Sequence, residues 1–189
     1  MGVELGGFMK TGEYYYRKYV DGDDSAFEEI VKIYYDGLIL FINGYLHSLT
    51  DAEDVASECL LFIAVHKRRF NFKNSLKTYL YTIARSKSLN FLKKRKRNQT
   101  ENVDDYKNIT SSNMLLDDLL IKKESTSELY NAIECLPSEM KTALYLFYFE
   151  DMSYEEISAI TSKNLKQIDN LLYRAKKQLK EILKGGSSV

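Results

Sequence analysis

Apolar side chains recur at helical spacing along most of this chain, and the strict alternation of a half-buried strand is nearly absent. Phe27, Ile30, Val31, Tyr34, Leu38, Phe41 and Tyr45 fall on one side of a long helix. A second helix is expected to open at Thr50-Asp51-Ala52-Glu53. There Thr50 can accept from an early backbone N–H while Glu53 reaches back, the reciprocal pattern of a capping box. Its inner face holds Val55, Cys59, Phe62 and His66. A third helix, over about 75–97, turns Leu76, Leu80, Ala84 and Phe91 inward. Three such helices can share one core. The pattern places that core between about residues 20 and 97, and the domain is drawn over 12–97.

The periodicity then lapses. Residues 98–124 are polar and acidic apart from MLLDDLLI, which is too short to be a domain, so this stretch reads as a mobile linker with at most a short helix. A second domain is expected over 125–184. Leu136-Pro137 breaks a helix, because a residue before proline avoids helical angles, and Ser138 suits the N-cap of a helix running through Phe149. Ser153-Tyr154-Glu155-Glu156 is a further capping box opening a short helix to about Ile160. The polar turn Thr161-Ser162-Lys163-Asn164 leads into a last helix with Ile168, Leu172, Ala175 and Leu179 as its buried stripe. Short helix, tight turn and basic helix form a helix-turn-helix. The fold class is all-α, two small helical domains joined by a flexible linker.

Charge sharpens this picture. The net charge is zero, but residues 1–58 carry 4 basic and 12 acidic side chains, and residues 59–100 carry 12 basic and none acidic. Residues 101–162 carry 4 basic and 13 acidic, and residues 163–189 carry 7 and 2. Two basic blocks, each on an expected helix, suit contact with a polyanion at two places. Pairing between basic and acidic blocks is the alternative, and the same asymmetry could draw the two domains together in a closed form. Between Lys67 and Arg97 the cations alternate with aromatics, among them Arg69, Phe70, Phe72, Lys73, Tyr79, Tyr81, Arg85 and Lys87. Cations neutralise phosphates and aromatic faces stack on unpaired bases; Phe70, Phe72 and Tyr79 could equally be core. Cys59 and Cys135 stand far apart with no CxxC, which suits a reducing cytoplasm. The sequence has no Gly-rich phosphate loop, nucleophile elbow or metal-ligand cluster, and only two histidines, so neither an enzyme nor a cofactor or metal is expected.

GDDSAFEEIVKIYYDGL (22–38), DAEDVASE (51–58) and SLKTYLYTIARSKSLNFLKKRKR (75–97) resemble conserved region 2 of the sigma-70 factors of the extracytoplasmic-function (ECF) group. LPSEMKTALYLFYFEDMSYEEISAITSKNLKQIDNLLYRAKKQLKEIL (136–183) resembles their region 4. The resemblance implies a transcription initiation factor that binds core RNA polymerase and promoter DNA, with an anti-sigma factor as a candidate further partner. It takes no small-molecule substrate and does not insert into a membrane. Asp51, Glu53, Asp54 and Glu58 would then meet the polymerase, although Asp51 and Glu53 also suit a helix N-terminus electrostatically. Arg69, Phe72, Asn74, Tyr81, Arg85, Lys87, Asn90, Lys93 and Lys94 would serve the −10 element, the loop Asn71-Phe72-Lys73-Asn74 walling a pocket for a flipped base. Lys166, Gln167, Asn170, Tyr173, Arg174 and Lys177 would face the −35 element, with Gln167 and Asn170 suited to adenine and Arg174 to guanine or a phosphate. Lys176, Lys180 and Lys184 are as readily explained by the helix dipole.

The chain departs from the family pattern at several places. Ser162 stands where the turn usually has glycine, so strain is expected there. Asp169 and Leu171 replace common basic residues, Ala64 a common tryptophan and Ser57 a common glutamine. Two rival readings remain: a helix-turn-helix regulator that binds DNA without polymerase, and a degenerate sigma-like protein that binds polymerase without initiating.

Overall fold

The computed structural model describes residues 11–101, 129 and 131–186, and every regular element among them is helical. The expected linker lies outside the described residues from 102 onward, with its MLLDDLLI segment. In chain order the elements are α1 (Gly12–Val20), α2 (Ser25–Leu46), α3 (Leu49–Val65), a short 3-10 turn (Lys67–Arg69) and α4 (Leu76–Glu101). After a helical stretch at 131–134 come α5 (Ser138–Leu144), a π-helical turn (Tyr145–Phe149), α6 (Tyr154–Thr161) and α7 (Leu165–Gly186).

The first four helices pack on α2, which touches α1, α3 and α4. Its buried line runs through Ile30, Tyr34, Leu38, Phe41 and Leu46, joined by Ile39 and Ile42. Helix α1 lies before the core expected from residue 20, and buries Tyr16 and Tyr19. It closes on α2 at Gly12, where any Cβ would collide with the Tyr34 ring. In the second unit α5 and α6 pack on α7 through Met140, Ala143, Ile157, Ile160, Ile168, Leu172 and Ala175.

The caps correct two expectations. The N-cap of α3 is Ser48, whose hydroxyl accepts from Asp51 N–H at 3.4 Å, so Thr50 lies inside the first turn and is no cap. Ser48 is the residue with extended angles (φ −148°, ψ 114°), which an N-cap requires. For α5 the cap position falls on Pro137 with no side-chain bond, and Ser138 is the first helical residue. The expected run to Phe149 widens into the π-turn, where Glu150 N–H donates to Tyr145 O at 3.2 Å and Met152 N–H to Leu146 O at 3.0 Å. At α6 the capping box is complete, with Ser153 Oγ accepting from Glu156 N–H at 3.2 Å and Glu156 Oε2 from Ser153 N–H at 3.0 Å. Ser162 adopts φ 58°, ψ 32°, the left-handed conformation that glycine tolerates best.

Candidate nucleic-acid interface

A helix ends with carbonyls that have no donor in their own helix. At the end of α3 two tyrosines of α1 supply donors. Tyr16 Oη donates to Ile63 O (3.0 Å) and Lys67 O (3.1 Å), and Tyr19 Oη to Ala64 O (3.2 Å). Burial, helped by Tyr79 and Tyr19, pushes the Tyr16 hydroxyl up to about 12, so it stays protonated and able to donate. The chain thus anchored continues into the basic turn Lys67–Arg69 and the loop before α4. Asn71 Oδ1 accepts from Lys73 N–H at 3.1 Å, an Asx turn, and Phe72 takes φ 57°. Left-handed angles cost a residue with a side chain roughly 1–2 kcal/mol. Ring packing holds Phe72 there, with the Phe70 centroid at 4.6 Å, that of Tyr16 at 6.2 Å and the Arg17 guanidinium 4.2 Å from the ring centre. Phe70 is core at 5% exposure, whereas Phe72 and Tyr79 are half-buried.

The second unit sits on the N-terminal half of α4. Glu156, beyond its role in the cap, turns Oε1 to the Ser75 hydroxyl (2.9 Å) and the Thr78 hydroxyl (3.0 Å). Burial raises its pKa, but the hydrogen bonds from Ser153, Ser75 and Thr78 outweigh that and hold it below the ordinary value. Lys77 Nζ reaches both Glu150 O (2.5 Å) and Glu150 Oε2 (2.8 Å), while Glu150 Oε1 accepts from Tyr145 Oη at 2.9 Å. Tyr145 Oη also bonds Gly37 O at 3.0 Å, and a Cβ on Gly37 would stand 2.6 Å from Tyr81 Oη and 2.8 Å from Glu150 Oε1. Tyr81 is 1% exposed, its ring 5.0 Å from Phe41, and its hydroxyl faces Glu150 beside Gly37. Further along, Thr142 Oγ1 donates to the Tyr45 hydroxyl at 2.8 Å, and Arg85 lines the same cleft. Packing across this contact is incomplete: a cavity of about 220 Å³ is lined by Gly37, Phe41, Asn43, Thr142 and Tyr145, and Asn43 Oδ1 is buried without a hydrogen-bond partner among the described residues.

On α7 the stripe Ile168, Leu172 and Ala175 is buried, and Lys166, Gln167, Asn170, Tyr173, Arg174 and Lys177 are all exposed. Asn164 and Gln167 cap the helix reciprocally, each side-chain oxygen accepting the other's N–H at 2.9 Å. Asp169 is exposed among them, and Leu171 is half-buried against the core, which widens the apolar stripe.

A basic, aromatic-studded helix in one unit and an exposed basic helix after a tight turn in the other are matched by two family models. Sigma-70 region 2 matches residues 16–98 and Sigma-70 region 4 matches residues 126–179. The chain belongs to the sigma-70 family. Its similarity to the ECF RNA polymerase sigma factor SigW of Bacillus subtilis is 26% identity over 171 residues, 86% of this chain and 91% of that protein. With the RNA polymerase sigma-H factor of Pseudomonas aeruginosa it is 27% over 172 residues, 86% and 88% of the two chains. Such relatives place this sigma-70 chain in the ECF group. Two solved structures share the fold. The sigma factor RpoE of Bartonella quintana, in complex with the anti-sigma factor NepR, superposes with a TM-score of 0.68 at 21% identity, covering 84% of this chain and 96% of that one. CnrH, in complex with the cytosolic domain of CnrY, gives 0.63 at 16% identity, covering 90% and 96%.

Region 2 and region 4 of this sigma-70 chain therefore meet face to face, and that decides what each expected site residue can reach in this arrangement. Arg69, Asn74, Asn90, Lys93 and Lys94 are exposed and Phe72 is half-buried. Arg85 is half-buried at the inter-region contact, and Tyr81 is enclosed by it. Of the acidic set, Asp54 and Glu58 are exposed and Asp51 and Glu53 half-buried. Glu58 and Lys87, assigned to different partners on sequence, pair with each other at 2.7 Å across α3 and α4. Gln167 has its carbonyl oxygen committed to the α7 cap, so bidentate reading of adenine requires that bond to be given up. The inter-region residues Glu150, Glu156, Tyr145, Ser75 and Lys77 carry no local sequence signal for their contacts, whose partners lie 73 to 108 residues apart where they cross between regions.

Proposed function

We propose that this sigma-70 chain binds core RNA polymerase and directs promoter-specific initiation, region 2 opening the −10 element and region 4 reading the −35 element. The observation that carries this is the pairing, in one chain, of a region 2 whose α4 and preceding loop present cations beside half-buried aromatics with a region 4 whose α7 exposes its basic face. A simple helix-turn-helix regulator leaves the first of these without a use. Region 2 is assigned to 12–97, the linker to 98–124 and region 4 to 125–184. Within region 2, Arg69, Phe72, Asn74, Arg85, Lys87, Asn90, Lys93 and Lys94 serve the −10 strand, and Asp51, Glu53, Asp54 and Glu58 face the polymerase. Tyr81 joins the DNA-facing set only after region 4 departs, and the cavity and unpartnered Asn43 at the contact favour such separation. On α7 Lys166, Asn170, Tyr173, Arg174 and Lys177 face the −35 element, with Gln167 limited by its cap.

The polymerase supplies the phosphodiester chemistry, so the chain itself acts as no enzyme and works without cofactor or metal in the cytoplasm. No helix among the described residues is long and apolar enough to cross a membrane. The solved relatives were captured in complexes, one with an anti-sigma factor, which supports a comparable partner here. The test is transcription from a pool of genomic DNA by purified core polymerase with and without the protein. Discrete new starts sharing spaced −35 and −10 elements are expected. Binding to core without new starts would instead favour a degenerate sigma-like protein.

A further inference from the structure

Before residue 60 the chain is strongly acidic, and its few described cations are mostly engaged. Lys18 pairs with Asp23 at 3.8 Å and Lys32 with Glu29 at 2.7 Å. Arg17 has no carboxylate within ion-pair distance among the described residues, and it is exposed. Instead α1 delivers its guanidinium across the domain to the ring of Phe72, 4.2 Å from the centroid. It arrives beside a stretch with no acidic residue from 59 to 100, on the loop that carries Lys73 and follows the basic turn Lys67–Arg69. Glu13, one turn earlier on α1, accepts from Leu76 N–H at 2.5 Å, and Glu156 of the second unit accepts from the Ser75 and Thr78 hydroxyls, so both are engaged.

With its carbon 4.2 Å from the Phe72 ring centre, the exposed guanidinium is covered on the ring side and open to solvent elsewhere, where its edge can meet an anion. The edge carries up to five N–H donors in a planar fork that matches two phosphate oxygens. Adding Arg17 to a loop and turn that already carry Lys73 and Arg69 and no acid raises the local positive field, which becomes favourable when an anion enters. Phe72 cannot offer the face covered by Arg17 to a base, so the pair acts as a unit: the ring fixes the guanidinium, and the guanidinium meets the strand's backbone.

We propose that Arg17 is a promoter-contacting residue that grips a phosphate of the unpaired −10 strand where that strand meets the loop 71–74, with Phe72 as its platform. This rests on the sigma-factor reading and assigns α1 a part in strand capture, beyond its packing role.

The test uses the full chain with core polymerase and a fork-junction DNA bearing an unpaired −10 strand, taken from a start site mapped with the wild-type protein. Dissociation constants are measured between roughly 50 and 200 mM salt for wild type, Arg17→Ala, Arg17→Gln and Arg17→Lys. Loss of one single-strand phosphate contact flattens the slope of log K against log salt by about 0.7. Arg17→Ala and Arg17→Gln are expected to show that flattening with several-fold weaker binding at low salt. Arg17→Lys keeps the charge and should restore the slope, while affinity for core alone stays at the wild-type level in all three. A wild-type slope in Arg17→Ala and Arg17→Gln overturns the proposal, even if affinity falls, because a loosened loop would weaken binding without changing the ion count. If the wild-type complex itself fails to bind the fork or start transcription, the sigma-factor reading falls and the Arg17 assignment with it.

Discussion

Glu150 is the group on which the contact between regions 2 and 4 depends most. Its side chain is 12% exposed, and its carboxylate meets Lys77 Nζ at 2.8 Å and Tyr145 Oη at 2.9 Å, with the Tyr81 hydroxyl close by. Glu150→Ala leaves Lys77 its bond to the backbone carbonyl but removes the carboxylate from beside the enclosed Tyr81 and the half-buried Tyr145. Hydrogen bonds to charged groups contribute about 1.5–3 kcal/mol each. The Lys77 pair, with the lysine 30% exposed, falls at the screened end near 1 kcal/mol. The Tyr145 bond lies within region 4 and survives opening, so only Lys77 and, at about 1 kcal/mol or less, the neighbouring Tyr81 hydroxyl count, a loss of roughly 1–2 kcal/mol in closure and a shift of about 5- to 30-fold toward separated regions. Glu150→Gln keeps one acceptor without charge and should shift by less, about fivefold or under. Single-molecule energy transfer between dyes on Cys135, which is exposed, and on Asp54→Cys in α3 reads the closed fraction directly. If core polymerase takes only the separated form, its apparent affinity rises by the same factor until closure no longer limits binding. A Glu150→Ala protein that stays closed refutes the reasoning, as does a wild-type protein already open.

Ser162→Gly removes a left-handed strain of roughly 1–2 kcal/mol while adding about 0.4–1 kcal/mol of unfolded-state entropy. A net gain of about 0.5–1 kcal/mol is expected, read as a higher midpoint in urea with an unchanged slope. Glu156 has a folded pKa below its ordinary 4.5, so its contribution to stability is present above that value and is lost as pH falls through the lowered folded value. Glu156→Gln should flatten the loss of stability in that acid window, and equal pH profiles for the two proteins would contradict the assignment. Replacing both Arg85 and Lys87 by Ala should weaken promoter opening, followed by permanganate reactivity of unpaired thymines, while core binding survives. The partly exposed Glu58–Lys87 pair is worth about 0–1 kcal/mol, so loss of folding in this variant would assign these residues to the scaffold.

The helical pattern and the second capping box were readable because both are local: periodicity marks the face that packs, and Ser153 finds Glu156 three residues on. The cap of α3 was misplaced because Ser48 and Thr50 are both good acceptors, and only backbone angles decide between them. Tyr81 shows a deeper limit. Cations stand four residues before and after it, at Lys77 and Arg85, and the line Leu76, Leu80 and Ala84 already accounts for one buried face of α4. A second buried face appears only when region 4 arrives, through contacts more than seventy residues distant in the chain. The alternating charge blocks did point to attraction between the regions, and Lys77 with Glu150 is an ion pair of that kind. Yet hydroxyls, tyrosines and a glycine supply most of the contact, and these leave no trace in a charge count. Such a composition fits a surface with two successive partners. Ser75, Lys77 and Tyr81 are small, cationic and aromatic, types that can serve a neighbouring region in the closed chain and a strand of DNA once it opens. A wholly apolar contact would close more tightly and leave α4 unsuited to a polyanion, so if α4 takes DNA after region 4 departs, the polar character of this contact is what would let one helix serve both.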